Sequence, residues 1–202
     1  MGGRLEQTLT LVKRAKAGDD QALNLLLSNY MDRVLKMVRL RMGPSIRTRL
    51  ESMDVVQDVM FRAIKAFDNF EVRNEATFLH WIRKIVQNEI NNIADYQFAD
   101  KRNPNKEMQP VLEEGQNKSI ISNIPADSMW SPTGQLQLKD ELASLETAMD
   151  QLDAEQKEII IMREYEEFSF KEIGQFMSCT PDAARMKFAR ALDKLTDILN
   201  NS

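Results

Sequence analysis

One cysteine and one histidine in 202 residues remove several classes of chemistry at once. Cys179 has no internal disulfide partner, and with His80 alone no His/Cys zinc site can be assembled. A single imidazole leaves little general-base chemistry. No Ser/His/Asp constellation, glycine-rich phosphate loop or acidic metal cluster stands out, so an enzyme is the least supported class and no cofactor is expected. No apolar run reaches membrane-spanning length, and the opening MGGRLEQTLTLVKRAK lacks a signal peptide's apolar core and cleavage site. The expected location is therefore the cytoplasm, without membrane insertion.

Proline and glycine are also scarce, at 6 and 7 residues, and they are unevenly placed. Pro104, Pro110, Pro125 and Pro132 share one stretch with Gly115 and Gly134, and that stretch has little periodicity. Residues 99–134 read as an extended linker between a domain at 1–98 and a second at 135–202. Hydrophobic residues make up 43% and charged residues 29% of the chain, enough for buried cores and too apolar for disorder. Helical periodicity dominates on both sides and no convincing strand alternation appears, which predicts an all-α protein of two domains.

The second domain carries the clearest motif. SFKEIGQFMSCTPDAARMKFARALDKL, from Ser169 to Leu195, lays out a short helix, a tight turn and a second, basic helix, which is a helix-turn-helix. Ser169 and Glu172 form a capping box, with Ile173, Phe176 and Met177 as the apolar face. Thr180 followed by Pro181 is a second helix start. Ala184, Phe188, Ala191, Leu192, Leu195 and Leu199 then recur at helical spacing and are expected to point inward. Arg185, Met186, Lys187, Arg190 and Lys194 remain for contact with DNA, bases from the first turns and phosphates from the cations. An ordinary helical hairpin with a solvated charged face is the plainer alternative.

A net charge of -4 does not suit a DNA binder until it is divided. Residues 141–202 hold 7 lysines and arginines against 13 acids, yet Ala183–Lys194 holds four cations and one acid. The basic face is local, and the acidic remainder suggests that affinity needs help from another protein.

The first domain reads as about four helices, near 5–17, 19–42, 50–68 and 75–97. In the third, the inward set Val55, Val56, Val59, Met60, Ala63, Ile64 and Phe67 leaves Asp54, Gln57, Asp58 and Phe61 together at i, i+3, i+4 and i+7. Phe61 beside those charges favours a protein-docking face over mere solvation. In the fourth, Phe78, Ile82, Ile85, Val86 and Ile93 form the buried stripe, while Trp81, Lys84, Gln87, Asn88 and Asn91 collect opposite. Amides, a cation and an aromatic suit unstacked bases, although Trp81 has core as its alternative. Glu89 falls inside the apolar stripe without an explanation from sequence.

Taken in order, DVVQDVMFRAIKAF, FEVRNEATFLHWIRKIVQNEINNI, the tether and LDAEQKEIIIMREYEEFSFKEIGQFMSCTPDAARMKFARALDKL resemble the extracytoplasmic-function (ECF) branch of the bacterial sigma-70 family over nearly the whole chain. The resemblance implies an alternative sigma factor that binds core RNA polymerase and directs promoter-specific initiation. It makes Asp54, Gln57, Asp58 and Phe61 the polymerase contact. The pattern F-x-x-W-I/L-x-x-I-x-x-N matches at Phe78, Trp81, Ile82, Ile85 and Asn88. By that match, the loop from Glu71 to Thr77, with Arg73 and Asn74, and Trp81, Lys84, Gln87, Asn88 and Asn91 become the reader of melted minus-ten DNA. Arg185, Met186, Lys187 and Arg190 become the minus-35 reader, and the tether threads the polymerase near its RNA path. Relatives carry Asp and then Arg where this chain has Asn92 and Asp95, with Lys101 and Arg102 as substitutes from the following segment. Asp182 and Ala183 also depart before the recognition helix. The resemblance further implies regulation by an anti-sigma factor that clamps both domains. A kinase is an alternative regulator, since Thr48 and Ser52 precede the Asp54 helix and a phosphate there would meet its positive end.

Two other classes fit the same residues. A stand-alone helix-turn-helix repressor or activator, with an N-terminal helical domain that oligomerises or senses a ligand, would bind DNA tightly without polymerase. A purely protein-binding helical regulator would leave Arg185, Lys187 and Arg190 dispensable.

Overall fold

The computed structural model describes the backbone of residues 2–71, 75–100 and 142–201, and side chains within 7–71, 78–96 and 142–201. Helices and turns account for the described backbone, with no strand among these residues. The chain divides into two compact units, Met1–Pro125 and Ala126–Ser202. The expected linker lies outside the described residues, save that Ala99 and Asp100 still belong to a helix.

In the first unit, α1 (Gly2–Lys16) leads into α2 (Asp20–Arg41) through a sharp turn. Gly18 takes φ +88° there, a left-handed conformation that glycine adopts without cost. Asp19 then caps α2 by accepting from Ala22 N at 3.0 Å, and Arg14 Nη2 holds the same carboxylate at 2.7 Å. Gly43 and Pro44 end the helical run and start a short α3 (Pro44–Arg47), an element the sequence periodicity had not resolved. Next come α4 (Ser52–Ala66), a 3₁₀ turn at Phe67–Asn69 and α5 (Glu75–Asp100), which outlasts its predicted end at 97. α2, α4 and α5 pack on one another, with α1 laid against α2. The fully buried side chains Leu26, Leu27, Met37, Leu40, Met60, Phe78, Leu79 and Ile82 form their shared core. Ile64, Ile85 and Ile93, expected inward, are only half-buried.

The second unit contains α6 over 142–149, α7 (Ala154–Ile160), a π-helical stretch at Ile161–Tyr165, α8 (Phe170–Phe176) and α9 (Pro181–Asn200). Asp153 and Gln156 make a capping box on α7, and Ser169 and Glu172 make the expected one on α8. Thr180 Oγ1 accepts from Ala183 N at 3.1 Å, which starts α9 with Pro181 at its first position. The turn between α8 and α9 is tight. Cys179 N donates to Gly174 O at 2.8 Å, and a Cβ on Gly174 would lie 2.7 Å from the Cys179 carbonyl oxygen. Glu167 and Ser178 close the π segment and α8 at φ 59° and 54°, in the left-handed region where a Cβ is unfavourable.

α9 corrects part of the sequence expectation. Ala184, Ala191 and Leu195 are buried against α7 and α8, but Leu192 and Leu199 are 41% and 40% exposed and Phe176 is 54% exposed. Two covering helices shade a narrow stripe centred on small alanines, and leucines a little around the helix fall outside it.

Candidate functional site

The α4 face has the composition expected of it. Asp54 and Gln57 are exposed, while Asp58 and Phe61 are half-buried one turn further on. Lys65 Nζ lies 4.3 Å from the Phe61 ring centroid, a cation–π contact that holds the ring along the helix. Burial pushes the Asp58 carboxyl up from the usual carboxylate range; Arg62 opposes this and Asp54 adds to it.

Glu89 finds its explanation here. It is 6% exposed on the inner side of α5, and Arg62 Nε from α4 stands 2.5 Å from Glu89 Oε2, close contact without the angle of a hydrogen bond. Burial raises the Glu89 carboxyl, the guanidinium lowers it and Asp58 raises it again. Arg62 therefore serves two carboxylates, one on each helix, and couples the acidic face of α4 to the packing of α5. The acid was visible in the sequence but its partner was not, because the pairing crosses two helices.

On α5, Lys84, Asn88 and Asn91 are exposed on one stripe and Gln87 is half-buried at its edge. Gln87 is tied on both sides. Arg41 Nη1, at the end of α2, donates to Gln87 Oε1 at 2.8 Å, and Gln87 Nε2 donates to Asn91 Oδ1 at 2.9 Å. Trp81 is half-buried in an aromatic cluster, stacked on Phe70 at 4.6 Å and 27° and close to Phe67 and Phe78. Its ring is thus shared between core and surface. Arg73 and Asn74 lie outside the described residues, as do Lys101 and Arg102, and Glu75–Thr77 of the expected loop already belong to the first turn of α5.

On α9, Met186 is 56% exposed, and Arg185 and Arg190 are exposed beside it. The Arg185 guanidinium lies 5.4 Å from the Phe170 ring and 3.5 Å from Asp182 Oδ1, and Arg163 lies 4.8 Å from the same ring. Lys187 is different. Its ammonium is paired with Glu155 of α7, and that hydrogen bond raises its pKa. Lys194 donates to Gln156 Oε1 at 2.9 Å. The basic stripe therefore divides: Arg185 and Arg190 face outward, and two lysines lean on α7.

Among the described residues no group of three or more His, Cys, Asp or Glu could hold a metal ion, and no helix is long and apolar enough to cross a membrane. Thr48 Oγ1 donates to Ser45 O at 3.1 Å; Ser52 opens α4, whose N-cap Glu51 makes no side-chain capping bond.

Known proteins match this chain over most of its length. Residues 26–97 match the family model for sigma-70 region 2, and residues 142–195 match that for sigma-70 region 4. The ECF RNA polymerase sigma-E factor of Escherichia coli is 28% identical over 186 residues, covering 92% of this chain and 90% of the relative. The sigma-E factor of Haemophilus influenzae is 26% identical over 186 residues, covering 92% and 91%. RNA polymerase sigma-H factor of Pseudomonas aeruginosa is 26% identical over 195 residues, covering 96% and 94%. Among solved structures, CnrH in complex with the cytosolic domain of CnrY is similar in fold, with TM-score 0.57 and 19% identity over 97% of this chain and 99% of that one. With both sigma-70 regions present in order, one on each compact unit, the chain belongs to the ECF branch of the sigma-70 family and is an alternative sigma factor directing transcription initiation.

Proposed function

We propose that the α4 face of Asp54, Gln57, Asp58 and Phe61 docks core RNA polymerase, that α5 takes melted minus-ten DNA, and that α9 reads the minus-35 duplex. The observation that carries this reading is the agreement between matched regions and exposed chemistry. The region 2 match contains both the acidic docking stripe and the amide stripe, and the region 4 match contains the outward arginines. Strand capture falls to Lys84, Asn88 and Asn91, flanked by Gln87, with Arg73 and Asn74 contributed by the preceding loop. Trp81 gives one face to Phe70 and offers a base only the part of the ring that its aromatic neighbours leave exposed. At the minus-35 duplex Arg185, Met186 and Arg190 contact bases and phosphates, and Lys187 joins by exchanging Glu155 for a phosphate.

Mechanistically, α9 fixes the register on duplex DNA, and α5 then captures bases that leave the stack. Unstacking costs a few kcal/mol per base, so initiation is confined to sequences whose flipped bases recover that cost in the site. The chain acts as an initiation factor without chemistry of its own, in the cytoplasm where the polymerase works. A protein that covers these surfaces, or a kinase acting at Thr48 or Ser52, would regulate it. Thr48→Asp and Ser52→Asp are expected to change polymerase affinity, and an affinity unchanged by both, and by Ala at the same positions, removes the kinase route.

Binding of the full chain to core RNA polymerase tests the whole reading. Wild type is expected to bind tightly and the Asp54→Ala/Asp58→Ala double variant at least tenfold more weakly, as for paired hot-spot charges. DNA affinity intact without any polymerase binding would return the chain to the stand-alone helix-turn-helix class.

A further inference from the structure

The hydrogen bonds on the α5 face have a direction, and chemistry fixes it. A guanidinium carries donors only, so the group Gln87 turns toward Arg41 is its carbonyl oxygen. Its NH₂ then faces Asn91 and donates to Oδ1. Asn91 has spent its acceptor inward, and its Nδ2 donors are directed away from the relay at an exposed position beside Lys84 and Asn88. Charge-assisted and chained hydrogen bonds strengthen one another, so the half-buried Arg41 holds the outer amide in a single orientation. Arg41 stands at the C-terminal end of α2, where the helix dipole favours a cation.

We propose that Arg41, through Gln87, is a positioning and specificity-determining residue that makes Asn91 a hydrogen-bond donor toward the captured strand. The ligand class follows from the donor. A base presenting a carbonyl edge, thymine O4 or guanine O6, is accepted opposite Asn91, whereas adenine and cytosine present an amino group there and are disfavoured. An asparagine free to rotate would accept either class, and the relay removes that freedom. The inference rests on the assignment of α5 to single-stranded minus-ten DNA.

The test is selection by reconstituted holoenzyme from forked DNA whose single-stranded tail is randomised, followed by sequencing of the retained pool. Wild type is expected to enrich thymine and guanine over adenine and cytosine at one tail position. Arg41→Met relaxes that preference by about threefold to tenfold, the scale of one mispositioned hydrogen bond. Gln87→Glu still accepts from Arg41 but has no N–H for Asn91 and accepts from its Nδ2 instead, so the preference at the same position is lost or turned toward adenine and cytosine, and this variant answers for Arg41→Met should that one unfold. Asn91→Asp turns the preference toward adenine and cytosine. In an Asn91→Ala background Arg41→Met adds nothing, which a separate phosphate contact by Arg41 would not obey. Enrichment that survives both Arg41→Met and Gln87→Glu overturns the relay and leaves the α5 assignment standing. No enrichment by wild type at any position overturns the α5 assignment and the relay together.

Discussion

Two non-glycine residues in the left-handed region offer a direct test of how the second unit is held together. Glu167 at φ 59° and Ser178 at φ 54° end the π segment and α8, and each places a Cβ where an L-residue costs about 1–2 kcal/mol. Replacement by glycine relieves that strain but enlarges the freedom of the unfolded chain, an opposing effect of about 0.5–1 kcal/mol. The difference predicts that Ser178→Gly and Glu167→Gly each stabilise the unit by about 0.5–1 kcal/mol, with near-additivity expected for two turns at opposite ends of α8. For a unit of this size 1 kcal/mol moves Tm by about 4–8 °C, so the double variant melts about 4–16 °C higher. Circular dichroism melts of the full chain measure this, with urea unfolding as the second probe. Gly18→Ala is the mirror control: φ +88° is kept while a Cβ is added, and after the stiffer unfolded chain is allowed for, the first unit loses about 0.5–1 kcal/mol. Glycine variants that melt at or below wild type would refute the strain argument.

Other consequences are simpler to state. Burial raises the carboxyls of Glu89 and Asp58 above their ordinary values despite Arg62, so each is most favourable to folding when protonated. Their contribution is present below the unfolded pKa and lost as pH rises through the folded one. Glu89→Gln should therefore gain on wild type in urea stability toward neutral pH, with the gap closing in acid; a gap that widens in acid contradicts the assignment. Glu155→Gln releases Lys187 from an exposed pair that water screens, so Tm barely moves while duplex affinity, followed by fluorescence anisotropy against salt, rises by a fewfold. Trp81→Ala removes a ring packed on Phe70 and near Phe67 and is expected to cost about 2–4 kcal/mol, with Trp81→Phe recovering most of the loss.

Local rules read well and long-range ones did not. The Ser169–Glu172 box and the Thr180–Pro181 start are contained within a few residues, and both stand in the structure as the sequence spelled them. Periodicity alone points Leu192 and Leu199 inward, because it finds an apolar stripe but not how wide a partner covers it. The polar residues show the same division. That Lys84, Asn88 and Asn91 share a face follows from helical spacing alone. That Gln87 answers to Arg41, 46 residues away, and that Lys187 answers to Glu155, 32 residues away, depends on which helices meet. The short α3 was hidden because four residues hold too little periodicity to register.

The π-helical stretch fixes how many residues this chain spends between α7 and α8. Glu166 N reaches back to Ile161 O, five residues, at 3.2 Å, so this turn holds one residue more than an α-helix would. Deleting any one of Ile161–Tyr165 would restore ordinary spacing and turn the outgoing chain by about 100°. The capping box of α8 and everything hung from it would then leave α7 on a new heading. Loops tolerate insertions and deletions, but here the end of a helical run works as a fixed spacer, and the aim of Arg185 and Arg190 depends on its count.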